Sequence, residues 1–97
     1  MAQPEAKLSK KILEAWRERG AWGFKVWGNA HQMAGVPDLV GVYRGRFIAC
    51  ETKMPGNAPS PIQQHRITQI EAAGGLTVVA YSVEEATALL DAVDRLE

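Results

Sequence analysis

Pro37-Asp38-Leu39-Val40-Gly41-Val42-Tyr43-Arg44-Gly45-Arg46-Phe47-Ile48-Ala49-Cys50-Glu51-Thr52-Lys53 is the stretch that organises the rest of the chain. Leu39–Tyr43 and Phe47–Cys50 are apolar runs of β type, and Arg44-Gly45 between them has the length of a two-residue hairpin turn. Glycine suits such a turn, whereas arginine is not its preferred first residue. Val36 is held extended by Pro37, which itself suits the first position of a strand. A two-residue turn fixes the register, because Tyr43 then opposes Arg46 and each residue is paired by the same count outward. Asp38 therefore lies across from Glu51 on one face, with Cβ atoms about 4.5–5.5 Å apart. Lys53, two residues beyond Glu51, points to that same face about 7 Å further along the strand.

Two carboxylates this close repel unless a positive charge sits between them or one stays protonated. A hard divalent cation such as Mg²⁺ fits the pair, since it takes oxygen ligands, commonly one or two carboxylates with waters and substrate phosphate. A lysine beside it can position or deprotonate an attacking water and stabilise charge on phosphorus. The same residues also suit an ordinary cluster at a strand end, with Lys53 in an exposed ion pair worth well under about 1 kcal/mol. The register across the turn is what raises the first reading to the level of the second.

Outward from the hairpin, the remaining elements read in order. Leu8, Ile12, Ala15 and Trp16 recur at helical spacing over about residues 4–19, and Gly20 ends the pattern. Glu5 precedes Leu8 by three and Ile12 by seven, so it projects from the apolar stripe, where a glutamate is less expected than on the wet face. Phe24–Trp27 alternates as a short strand, and residues 28–35 read as a loop. Ser60-Pro61-Ile62-Gln63 opens a helix with an N-cap, a proline at N1 and a capping-box glutamine. That helix runs to about Ala73 and stops at Gly74-Gly75. Leu76–Tyr81 shows no alternation, which predicts a strand buried on both faces, as parallel strands are. Ser82-Val83-Glu84-Glu85 is a second capping box and opens a last helix through about Arg95. The order α-β-β-β-α-β-α predicts a mixed α/β domain.

Length and composition bound the function. Ninety-seven residues predict one domain over 1–97, small enough that a partner copy would help its core. The chain is 46% hydrophobic and 23% charged, which excludes disorder. No apolar stretch approaches a membrane span and MAQPEAKLSKK lacks the apolar core of a signal peptide, so a soluble, cytoplasmic protein with no membrane partner is expected. Cys50 is the single cysteine, which excludes an intramolecular disulfide and a cysteine zinc cage. The formal net charge is zero, yet residues 1–53 carry nine basic and five acidic side chains, whereas residues 54–97 carry two and six. A polyanion would meet the first half and be repelled by the second.

These residues, taken together, resemble the PD-(D/E)XK nucleases, and within them the VRR-NUC branch in its short stand-alone form found in bacteria and phages. The resemblance rests on Glu5 ahead of an apolar helix, Gly35-Val36-Pro37-Asp38, the hairpin, Glu51-Thr52-Lys53, Ser60-Pro61-Ile62-Gln63 and Ala73-Gly74-Gly75, in that order and over nearly the whole chain. It implies a restriction-endonuclease-like fold with a central mixed sheet flanked by helices. It implies Mg²⁺, with Mn²⁺ as substitute, bound by Asp38, Glu51 and the backbone carbonyl of Thr52, with Glu5 reaching the metal from the first helix. Lys53 would orient the attacking water and Gln63 would complete the catalytic set, although a capping role for Gln63 stays open beside it. The implied activity is hydrolysis of DNA phosphodiesters to a 5′-phosphate and a 3′-hydroxyl, selective for four-way or other branched junctions, by a homodimer whose two sites cut two strands. A helicase or another replication or repair protein is an implied partner, in a bacterial cell and from a phage gene in some cases. The alternative is a catalytically silent nucleic-acid-binding or assembly module on the same fold.

Other side chains take supporting roles. Lys7, Lys10, Lys11, Lys25 and His31 are candidate DNA contacts, against a default of solvated charge. His65 reads as a surface residue and Trp16 as core, whereas Trp22 and Trp27 stay open as base-stacking candidates. Cys50 should point away from the Asp38 and Glu51 face as a small buried hydrophobe.

Overall fold

The computed structural model describes residues 4–27 and 33–96. Its elements are α1 (Pro4–Glu18), β1 (Trp22–Lys25), β2 (Leu39–Tyr43), β3 (Arg46–Thr52), α2 (Pro61–Ala72), β4 (Leu76–Ala80) and α3 (Val83–Arg95). The four strands form one mixed sheet in the order β1-β2-β3-β4, antiparallel except for the parallel pair of β3 and β4. This is the α-β-β-β-α-β-α order and central mixed sheet expected from the sequence.

The β2–β3 register is the one set by the two-residue turn, with Tyr43 opposite Arg46 and Leu39 opposite Cys50. Both turn residues take the left-handed conformation, Arg44 at φ 51° and Gly45 at φ 78°. This is the turn whose twist matches paired strands, and glycine adopts it freely whereas arginine does not. Tertiary contacts hold Arg44 there. Its Nε lies 2.8 Å from Asp94 Oδ1 on α3, and its guanidinium stands over the Tyr43 ring. Tyr43 donates its own hydroxyl to the same Asp94 oxygen at 2.9 Å, and Arg19 at the end of α1 reaches Asp94 Oδ2 at 3.1 Å.

Alternation along the strands sorts side chains onto two faces. Leu39, Tyr43, Ile48, Cys50 and Ala80 join Ile12 and Trp16 of α1 and Leu89, Leu90 and Val93 of α3 in one core. Trp16 is fully buried there and donates its indole N–H to the Ala86 carbonyl at 3.0 Å. The opposite face carries Val40, Val42, Phe47, Ala49 and Glu51, with α2 packed on its β4 side. Towards β1 the face is open, and Trp22, Phe24, Val42 and Phe47 are exposed.

Three local expectations change. The first strand spans Trp22–Lys25 rather than 24–27, because Gly23 pairs with Gly41 and the two glycines let the backbones close together. A Cβ on Gly41 would strike the Trp22 carbonyl oxygen, and one on Gly23 would lie 2.9 Å from the Val40 oxygen. β4 is half-buried rather than buried on both faces, since it lies at the edge of the sheet. The second capping box is one-sided. The Ser82 hydroxyl accepts from the Glu85 N–H, but the Glu85 carboxylate accepts from the Tyr81 N–H at 2.6 Å instead of the cap amide.

Gly41→Ala should therefore force β1 and β2 apart and cost about 2–4 kcal/mol. The expected outcome is a fall in Tm of about 10 °C or more by circular dichroism, and an unchanged Tm would remove the close approach as a determinant of the sheet.

Candidate functional site

Asp38 stands one residue before β2 and is tied down twice. Its carbonyl accepts from the Val26 N–H at 2.7 Å, and its Oδ2 accepts from the Thr52 N–H at 2.9 Å. Continuing the ladder one step past Leu39 and Cys50 sets Asp38 across from Glu51, on the face away from Cys50. Lys53 follows on the same side of β3, with its N–H bonded to the Ala80 carbonyl at 3.0 Å.

Glu51 is 2% exposed. Its Oε2 lies 3.6 Å from Lys53 Nζ and accepts from Gln63 Nε2 at 3.2 Å. Oε1 is buried and has no hydrogen-bond partner. Burial is the first cause that pushes the Glu51 carboxyl up to a pKa of about 7, and the charge of Asp38 is the second. Lys53 pulls the other way, and Glu5 adds a smaller upward push. An anionic carboxylate with a bare buried oxygen facing another carboxylate is costly by itself. A hard divalent cation both satisfies that oxygen and cancels the repulsion, so the donors present fit such an ion. They do not suit a soft metal. Cys50 lies on the core face, fully buried, and burial pushes its thiol up to about 12.

Gln63 closes the capping box and also touches Glu51. Its Oε1 accepts from the Ser60 N–H at 2.8 Å to close the capping box, and its amide nitrogen reaches Glu51. The start of α2 thus fixes the side chain, and one carboxylate oxygen of the site with it. Glu5 is half-buried in the first turn of α1, on the stripe that continues to Ser9, Ile12 and Trp16. It lines a cavity of about 280 Å³ together with Ala6, Ser9, Lys25 and Asp38. Among the described residues, no three His, Cys, Asp or Glu side chains come together as a metal-binding group. Glu5 is therefore a neighbour of the Asp38 and Glu51 pair rather than a third member of it.

The fold admits a comparison with known proteins. No family model and no curated protein matches the sequence. A solved structure described as a "VRR_NUC domain" superposes with a TM-score of 0.76 at 23% identity, covering 93% of this chain and 97% of that one. The chain has the VRR_NUC fold. Within that restriction-endonuclease-like fold, the paired carboxylates occupy the end of the β2–β3 hairpin, and Lys53 and Gln63 converge on Glu51.

The other candidates divide. Lys10 is exposed on α1 and lines a groove beside β1 with the half-buried Lys25, whereas Lys7 and Lys11 are exposed and line neither cavity described. His31 lies outside the described residues. His65 and Gln64 are exposed on α2, and Trp22 and Trp27 are exposed too. Sequence reasoning passed over Ala6 and Ser9, the small residues of α1 that line the cavity beside Glu5. The available signal was their position, Ser9 one helical turn after Glu5 on the inward stripe.

The raised pKa of Glu51 has a definite sign for stability. The folded chain holds that proton more tightly than the unfolded chain, so its contribution is complete below about pH 4.5 and is lost as pH rises through about 7. In the presence of a chelator, Tm should fall between about pH 5 and about pH 8. Glu51→Gln should flatten that fall and raise Tm at about pH 8 by about 4–8 °C, on the order of 1 kcal/mol. Parallel melting curves for the two proteins would count against a strained Glu51.

Proposed function

We propose that this chain is a metal-dependent deoxyribonuclease domain that cuts branched DNA, four-way junctions among its substrates. The observation that carries the reading is Glu51, buried, with one oxygen unpartnered, opposed to Asp38 and with an ammonium 3.6 Å from its other oxygen. The VRR_NUC fold and the basic excess of residues 1–53 support it.

Asp38 and Glu51, with the Thr52 backbone carbonyl, would hold Mg²⁺ or Mn²⁺. A bound divalent ion supplies a water of lowered pKa and polarises a phosphoryl oxygen. Each protein group then has a task. The Thr52 N–H fixes one oxygen of Asp38, and Gln63 fixes one of Glu51, so both carboxylates are set before substrate arrives. Lys53 orients the attacking water and meets the negative charge that builds on the phosphoryl group. Glu5 adds negative charge at the cavity mouth and reaches the ion through water. Hydrolysis breaks the bond to the 3′-oxygen, leaving a 3′-hydroxyl and a 5′-phosphate.

Two strands of a junction need two such sites, and a homodimer related by a twofold axis supplies them. Sedimentation velocity should show a species of twice the chain mass, with or without junction DNA, and a monomer in both conditions would remove the paired-cut arrangement.

The deciding experiment is a digest of nicked, flapped, forked and four-way DNA at one salt concentration, with Mg²⁺, with Mn²⁺ and with chelator. Cutting of branched substrates that chelator abolishes is expected. Binding without cutting under both ions would instead favour the silent module. Lys53→Ala should lower the cleavage rate by about 10²-fold or more while junction affinity stays within about twofold. Normal cutting by that variant would withdraw the role given to Lys53.

A further inference from the structure

A groove leaves the carboxylate site along α1. The cavity lined by Glu5, Ala6, Ser9, Lys25 and Asp38 shares Ala6, Ser9 and Lys25 with a second cavity of about 270 Å³. That second cavity is also lined by Lys10, Leu13, Leu39 and Trp27. The walls differ between the two. Glu5 and Asp38 line the first cavity alone, Lys25 lines both, and Lys10 and Trp27 line the second alone, Trp27 with 71% of its surface exposed. The Lys25 ammonium lies over the Trp27 ring, 5.0 Å from its centroid.

What sets Trp27 apart from the other exposed apolar side chains is its setting, with a cation on its ring, a second lysine and an apolar wall along one cavity. These groups have a common complement in a nucleotide. A base has a π-face for the indole and a phosphate has charge for the lysines. Volume decides how many nucleotides fit. A cavity of about 270 Å³ falls just below the usual size of small-ligand sites, about 300–1,000 Å³, and has room for a single base rather than a base pair.

We propose that this groove is a subsite for one unpaired nucleotide next to the scissile phosphate, its base stacked on Trp27 and its phosphate between Lys25 and Lys10. The subsite rests on the nuclease reading for its place beside the cut, and it narrows the substrate to DNA whose strand leaves the duplex at that point. Ala6 and Ser9 keep the passage open, because larger side chains on that face of α1 would fill it.

The test uses the full chain with Lys53→Ala in all proteins, so that DNA is bound and not consumed, and a flapped duplex with 2-aminopurine as its first unpaired base. Trp27 should quench the 2-aminopurine emission. Trp27→Ala should abolish the quenching and weaken flapped-duplex binding about five- to a hundredfold, with Trp27→Phe within about fivefold of the parent. A fully paired duplex should bind the Trp27→Ala protein within about twofold of the parent. Trp22→Ala, which removes the exposed tryptophan of the other sheet face, should leave quenching and affinity unchanged. Equal quenching with and without Trp27, or equal losses on flapped and paired DNA, would overturn the subsite. Cleavage by the protein with Lys53 intact is scored separately. Quenching through Trp27 without any cleavage would keep the subsite and remove the nuclease, whereas cleavage indifferent to Trp27 would do the reverse.

Discussion

The register of one hairpin positions nearly everything else in this molecule. Because side chains alternate strictly along a strand, a slip of one residue between β2 and β3 would send Asp38 and Glu51 to opposite faces. The two-residue turn at Arg44-Gly45 forbids that slip, and both of its residues need a left-handed backbone. Arginine is held in that conformation with the help of Asp94 and Tyr43. The ion pairs themselves are partly exposed and individually weak. Their importance is geometric, because Asp94 ties the hairpin tip to α3 and to Arg19 at the end of α1, at the pole of the sheet away from the site.

At the other pole the structure accepts an unfavourable arrangement. Glu51 is buried without a partner for one oxygen, faces a second carboxylate, and is held up in pKa for both reasons. Neighbours that fix its position do not neutralise it. Gln63 donates to one oxygen and Lys53 stays 3.6 Å away, while the Thr52 amide is already committed to Asp38. Structural polar groups in a core are normally satisfied in full. A pair left short by one positive partner is an arrangement that a hard cation would satisfy.

The groove along α1 extends the same logic from charge to shape. Small residues, two lysines and an exposed indole line the two adjoining cavities beside the carboxylates. Sheet and helix supply a rigid frame for these groups, since Ser9 belongs to the buried face of α1 and Lys25 is paired in β1.

Much of this was written in local sequence. The hairpin register, the element order, the Ser60 to Gln63 cap and the core role of Trp16 follow from turn length, periodicity and capping chemistry, which act over a few residues. The face shared by Asp38 and Glu51 follows from the same counting. What local rules missed depends on distant partners. The start of β1 moved because Gly23 meets Gly41 across the sheet, and β4 is half-buried because it lies at an edge, a fact of strand order alone. Arg44 looked misplaced until Asp94, fifty residues away, was brought beside it. Gln63 read as a cap, and only the tertiary placement of α2 shows that the same amide also reaches Glu51. Sequence sets which groups share a face, because backbone geometry is periodic. Tertiary structure decides which faces meet, how deeply Glu51 is buried, and that Lys25, Ser9 and Trp27 border one groove, because those depend on how separate elements pack.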